Sequence, residues 1–169
     1  MINTINFSLD YKKFPKSKPI SMPSGLNIIY GESGSGKTHL IRSLVNLNTF
    51  NNNFFNVVDL NIPESFQIVF QNPDNQILSH KLSLELCFGL ESSFKDTSLL
   101  QKKIKKLKSN LRFINDWDRH PSTLSGGEME MLNLVTAFSM KPELILIDDG
   151  LSFMNSDIKS TWVKWMKKE

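Results

Sequence analysis

Cysteine is almost absent. Cys87 is the single thiol in 169 residues, so no internal disulfide can form, and the cytoplasm is the expected compartment. No apolar run is long enough to cross a bilayer. The opening residues, Met-Ile-Asn-Thr-Ile-Asn-Phe-Ser, lack the basic-then-apolar layout of a secretory signal. Neither charge sign is in large excess: a formal net charge of +3 is too small to argue for nucleic acid. There are no repeats, no low-complexity tract and no heptad pattern. What remains is a length and composition suited to one soluble domain with a real core.

One stretch stands out against this background. Gly31-Glu32-Ser33-Gly34-Ser35-Gly36-Lys37-Thr38 fits Gly-x-x-x-x-Gly-Lys-Ser/Thr, the phosphate-binding loop. Gly31, Gly34 and Gly36 let the backbone curl so that successive N–H groups face one anion-sized nest. Lys37 brings positive charge to the β- and γ-phosphates of a nucleotide, and the Thr38 hydroxyl can ligate Mg²⁺. Before the loop, Leu26, Ile28, Ile29 and Tyr30 read as a short buried strand over 26–30. After it, Leu40, Ile41, Leu44, Val45 and Asn48 predict a helix over 37–48 whose positive end faces the phosphates.

A second constellation lies near the end. Leu124-Ser125-Gly126-Gly127-Glu128 opens a helix, and Ser125 with Glu128 has the spacing of a capping box. The two glycines also leave the helix entrance bare enough for a phosphate, so capping and anion contact stand side by side. Pro142-Glu143 ends that helix. Leu144-Ile145-Leu146-Ile147 is the fully apolar run of a central parallel strand. It delivers Asp148-Asp149 to the sheet edge where open α/β folds bind ligands. Four apolar residues followed by an acid form a Walker B pattern, in which Asp148 holds Mg²⁺ through water.

The remaining segments fit around these motifs. Ile5, Phe7 and Leu9 alternate as in a half-exposed strand; a loop of Lys, Ser and Pro follows. Asn51-Asn52-Asn53 reads as a turn, Val57–Ile62 as a strand broken by Pro63, and Phe66–Phe70 as another strand ending at Gln71-Asn72-Pro73. Leu82–Leu90 is helical. Ile104, Leu107, Leu111 and Ile114 mark an amphipathic helix over 98–114. Its other face carries Lys102, Lys103, Lys105, Lys106 and Lys108, either a solvated surface or a contact for lipid headgroups or an acidic partner. Ile158, Trp162, Trp165 and Met166 line one face of a final helix. Strands alternating with helices imply a mainly parallel sheet.

Phosphate loop, Gln71 after a strand, Leu-Ser-Gly-Gly-Glu and Walker B, in that order, resemble the ABC-type ATPases. Phe70-Gln-Asn-Pro-Asp-Asn-Gln-Ile-Leu78 and Ser83-Leu-Glu-Leu-Cys-Phe-Gly-Leu-Glu91 look like the glutamine loop and following helix of the energy-coupling-factor ATPases, which drive uptake of vitamins, cobalt or nickel. The resemblance runs from about residue 5 to about 155. It implies an α/β P-loop NTPase with a mainly parallel sheet and a helical signature subdomain, cut short after Walker B and one helix. Residues 1–169 would form a single ABC-type ATP-binding domain. About 1–71 and 140–169 would be its nucleotide-binding core, and about 72–139 its helical subdomain.

Site residues follow from the same resemblance. Gly31, Glu32, Ser33, Gly34, Ser35, Gly36, Lys37 and Thr38 would hold ATP, with Tyr11 stacking on adenine and Phe14 as its substitute. Thr38, Gln71 and Asp148 would serve Mg²⁺. Lys37, Gln71 and Asp149 would be the catalytic set. Ser125, Gly126 and Gly127 would press on the ATP of a second ATPase subunit in a head-to-tail dimer, and the segment after Gln71 would meet an integral membrane subunit.

The sequence departs from the family in three places. Asp149 stands where the family has the Glu that polarises water; it is one methylene shorter. Gly150-Leu-Ser-Phe-Met-Asn155 replaces a stretch that usually holds a Pro and ends in Asp. The family's switch histidine lies well beyond Walker B, whereas His39, His80 and His120 are all upstream. The chain is expected to be a fragment or a naturally short subunit. The reading is an ATP-binding subunit of an energy-coupling-factor-like importer, cytoplasmic and peripheral on the inner face of the membrane, hydrolysing slowly at its own site. A non-catalytic regulatory nucleotide-binding module is the alternative. A DNA-repair-type ABC ATPase ranks lower, because there is no coiled-coil insertion or heptad pattern and the Gln71 segment argues for transport; no nucleic-acid partner is expected.

Overall fold

Alternation of apolar and polar residues makes the first strand, β1 (Thr4–Tyr11), and buries Phe7 at its centre. In this computed structural model, residues 4–11 (Tyr11 by its backbone alone), 16–47, 55–88, 90 and 96–168 are described. They belong to two compact units, Met1–Phe66 and Gln67–Glu169. Among the described residues no helix is long and apolar enough to cross a membrane.

In the first unit β1 is the middle strand of an antiparallel sheet, flanked by β2 (Ile20–Pro23) and β3 (Phe55–Asn61). Ile5 sits opposite Met22 and Leu9 opposite Val57, with a register shift between Asn6 and Ser8. The strand at 20–23 was hidden by the loop-like composition of its flanks. The first helix, α1 (Lys37–Leu44), packs on β3 and buries Ile41 and Leu44. It is shorter than expected: a turn follows at Val45-Asn46, where Asn46 takes a left-handed φ of 55°. Asn48 and the Asn51–Asn53 turn lie outside the described residues.

The strand expected over 26–30 does not form. Leu26 is 51% exposed, Ile28 82% and Tyr30 97%, and no described strand pairs with them. An apolar run becomes a central strand only when neighbours offer ladders on both sides. None of the described strands supplies such a ladder to 26–30. Among the described strands, the three-stranded sheet is antiparallel throughout.

The second unit holds β4 (Phe66–Val69), all but its first residue, beside β5 (Leu144–Ile147). The Asp148 N–H donates to the Val69 carbonyl at 2.8 Å, so both strands end side by side, as in a parallel pair. Around them lie α2 (Leu82–Cys87), α3 (Thr97–Asn110), α4 (Gly126–Ser139) and α5 (Ser156–Met166). Single 3-10 turns occupy Pro73–Gln76 and Pro121–Thr123. Asp96 and Asn155 cap α3 and α5 by accepting from Ser98 N–H and Ile158 N–H. Helix α3 ends before Leu111, four residues short of the expected boundary, yet Leu111 and Ile114 remain buried. A turn joined by the Ile114 N–H to Leu111 carbonyl bond mimics the helical spacing. Leu90 is buried in the same way beyond the end of α2.

Helix α4 is the centre of this unit. Leu132, Leu134 and Val135 are fully buried, and the helix packs on α2, α3 and the Pro73–Gln76 turn. Trp162 of α5 joins the same core, edge-on to Trp165, which in turn meets Phe138 of α4. Trp162→Ala is expected to cost about 3–5 kcal/mol, whereas Ile28→Ser should stay within about 0.5 kcal/mol of wild type because its side chain is exposed. Urea unfolding of the two variants checks both; a large loss in Ile28→Ser would show that 26–30 is packed after all.

Candidate functional site

The phosphate loop is built by backbone freedom followed by a helix. Gly34 and Gly36 have φ of 78° and 93°, in the left-handed region where only glycine is unstrained. Gly36 is the residue before α1, and the loop closes through the Ser35 N–H to Glu32 carbonyl bond at 3.2 Å. A Cβ on Gly36 would lie 3.2 Å from the Phe55 ring. The Lys37 ammonium donates to the carbonyls of Gly31 at 2.9 Å and Glu32 at 2.7 Å. Its charge is thereby held over the loop at the positive end of α1. His39 hydrogen-bonds the Phe55 carbonyl at 2.9 Å and stacks edge-on against that ring, tying α1 to β3. This curl of backbone, ammonium and helix end suits an oligophosphate.

Gln71, Asp148, Asp149 and the signature residues lie in the second unit. Gln71 follows β4, and Asp148-Asp149 follow β5, so the paired strand ends bring them to one sheet edge. Asp148 is 3% exposed. Asp149 is exposed and has a φ of 54°, a left-handed conformation that Asp tolerates better than most residues. The next residue must be small: a Cβ on Gly150 would come within 2.9 Å of side-chain carbons of both Ile147 and Val69. In this unit the amide oxygen of Gln71 and the carboxylate of Asp148, and in the first unit the hydroxyl of Thr38, are each hard oxygen donors of the kind Mg²⁺ selects. Tyr11 enters the description only as backbone of β1, and the Tyr11 and Phe14 side chains lie outside it.

The signature segment opens α4 with the expected capping box. Glu128 accepts from the Ser125 N–H at 2.7 Å, and Ser125 Oγ accepts from the Glu128 N–H at 3.4 Å. Its glycines also have a packing role. A Cβ on Gly126 would be 3.0 Å from the Phe153 ring, and one on Gly127 3.2 Å from the Phe153 carbonyl. The turn after β5 therefore rests on the start of α4.

Sequence reasoning missed the residues that hold these loops. Glu130 of α4 is 1% exposed. Its two carboxylate oxygens each accept from the Phe153 N–H at 3.1 Å, and one also accepts from Ser152 Oγ at 3.3 Å. Asn133, one turn on, donates to the Pro73 carbonyl at 2.9 Å. Gln76 accepts from Phe70 N–H and donates to the Ile68 carbonyl, both at 2.8 Å. Buried Glu85 accepts from the N–H groups of Leu78 and Ser79 at 3.0 and 2.8 Å. For Glu130 and Asn133 the available signal was a Glu and an Asn three apart in a largely apolar helix.

Comparison with known proteins places this geometry. A model of the ABC transporter family matches residues 22–152, well over half of the chain, and the chain belongs to that family. It is 30% identical over 135 residues to the energy-coupling factor transporter ATP-binding protein EcfA of Pediococcus pentosaceus, covering 75% of this chain and 48% of that protein. It is 24% identical over 176 residues to the EcfA1 protein of Leuconostoc mesenteroides, covering 99% and 65% respectively. The chain thus spans about half of the first relative and just under two thirds of the second. A solved structure described as a metal-chelate type ABC transporter in an inward-facing conformation aligns with a TM-score of 0.66 at 17% identity, over 98% of this chain and 67% of that one. That likeness extends to the fold.

Burial holds the Glu130 carboxyl above its ordinary value of 4.5, outweighing the Phe153 and Ser152 hydrogen bonds and the Lys159 charge that favour ionisation. Such a group contributes most to stability while protonated in both states, and the contribution is lost as pH rises through the folded value. Wild type should therefore lose stability relative to Glu130→Gln as pH climbs from below 4.5 through that raised value. Parallel denaturation curves across this window check the sign; a constant gap would refute it.

Proposed function

We propose that the chain is the ATP-binding subunit of an energy-coupling-factor-like importer, working on the inner face of a membrane with a second ATPase subunit and an integral membrane subunit. The observation that carries the nucleotide reading is the Lys37 ammonium held on the Gly31 and Glu32 carbonyls at the head of α1. Family membership and the energy-coupling-factor relatives support the transport reading.

In this account Gly31–Thr38 bind and orient the triphosphate of ATP, and Lys37 offsets charge on its outer phosphates. Thr38, Gln71 and Asp148 would hold Mg²⁺, which when bound neutralises phosphate charge. Asp149 would orient and deprotonate the attacking water. Tyr11 would stack on adenine. Ser125, Gly126 and Gly127 would meet the nucleotide of the second subunit. Residues 72–139 would act as the helical subdomain, with the segment after Gln71 meeting the membrane subunit.

Asp149 makes this site a slow one. A general base must reach its proton within about 2.6–3.2 Å, and a shortfall near 1 Å costs on the order of 10² in rate. The second subunit would then supply the faster site, completed by this chain's Ser125-Gly126-Gly127. ATP binding and turnover by the purified chain, alone and mixed with partner ATPase and membrane subunits, test this directly. Turnover is expected only in the mixture, with binding lost in Lys37→Ala. Binding without turnover in every mixture would favour a regulatory nucleotide-binding module. Asp149→Glu should raise own-site turnover by up to about 10², and Asp149→Asn should abolish it; robust turnover by the unaltered chain alone would refute the slow-site account.

A further inference from the structure

We propose that Glu130 and Asn133 make α4 a two-point clamp that sets the turn after Asp149 and the segment after Gln71 together. The clamp rests on two buried polar side chains with separate targets. Glu130 is 1% exposed and Asn133 4%. Residues three apart share one face of a helix, so both act from the same side of α4. Glu130 holds the Phe153 N–H and the Ser152 hydroxyl. Asn133 holds the Pro73 carbonyl.

Each target is stiff enough to pass on a displacement. Gln76 locks the Pro73–Gln76 turn to β4 through Phe70 and Ile68, and Glu85 holds the backbone at Leu78 and Ser79. On the other side Phe153 packs over Gly126 and Gly127, leaving no space for a side chain there. Between the two contacts α4 is a regular helix whose Leu132, Leu134 and Val135 are fully buried. A packed element of this kind shifts as a body. Moving the Gln71 segment through Pro73 therefore drags Asn133 and Glu130, and with them the turn that begins at Asp149. Apolar side chains would fill the same volume, but they would leave the Phe153 N–H and Pro73 carbonyl without these partners at a cost in desolvation. Glu130 and Asn133 are positioning residues: they act through the loops they hold.

The importance of this coupling for ATP turnover rests on the reading of Gln71 and Asp149 given above; the coupling itself is measurable without turnover. Hydrogen exchange of the full chain is read at residues 70–79 and 152–154 in Asn133→Ala, Glu130→Ala, the double variant and Glu130→Gln. Each alanine variant should speed exchange in both segments by about tenfold, the scale of one net hydrogen bond. The double variant should add little to either single one, and Glu130→Gln, which keeps an acceptor, should restore most of the protection. Protection of Leu132–Val135 in mid-helix reports that the fold is intact; if Asn133→Ala loses it, Asn133→Ser takes its place. Loosening confined to the segment each residue touches, or simple additivity, would overturn the clamp. Coupled exchange without ATP turnover in any mixture would leave the clamp standing and refute the functional reading.

Discussion

Burial of α4 is the constraint on which the second unit depends. A helix surrounded by α2, α3 and the Pro73–Gln76 turn has few directions in which a polar group meets water. Glu130 and Asn133 therefore have to meet backbone groups of neighbouring loops. The same burial fixes the position of its N-terminus, where the capping box and two glycines form a small platform for Phe153. One packing decision thus determines the signature segment, the loop after β5 and the segment after β4. In the first unit a smaller arrangement does comparable work: Phe55 receives α1 through His39 and sets how bulky the residue at Gly36 can be.

The parts of the fold that could be read from the sequence are those with local causes. The glycines of the phosphate loop and the Ser125–Glu128 capping box encode their conformation within a few residues and appear where expected; the apolar run of β5 also forms its strand, but among the described residues it lies in a two-stranded sheet and not in the central position its pattern implies. The segment 26–30 was read from composition alone, and composition does not say which strands are free to pair with it. β2 was missed for the converse reason: a four-residue strand flanked by lysine, serine and proline is recognisable only from its ladder with β1. The ends of α2 and α3 were overextended because Leu90, Leu111 and Ile114 are buried by turns at spacings that imitate a helix.

The site divides along the same line. Residues that would touch nucleotide or metal belong to motifs and could be named from spacing. Residues that hold those motifs in place could not, because their partners lie far along the chain: Asn133 meets Pro73 and Glu130 meets Phe153. A long-range hydrogen bond leaves no periodic trace in sequence. The oddity of a charge and an amide in an apolar helix is its sole local sign.

The tight space around Gly150 also bears on how this chain could change over time. A proline there would carry a ring into Ile147 and Val69, whose side-chain carbons already stand within 2.9 Å of where its Cβ would be. A lone substitution by a larger residue is therefore closed by sterics unless a neighbouring branched side chain is trimmed first. The glycine is locked in by its neighbours: a change at position 150 has to follow one at 69 or 147, not precede it.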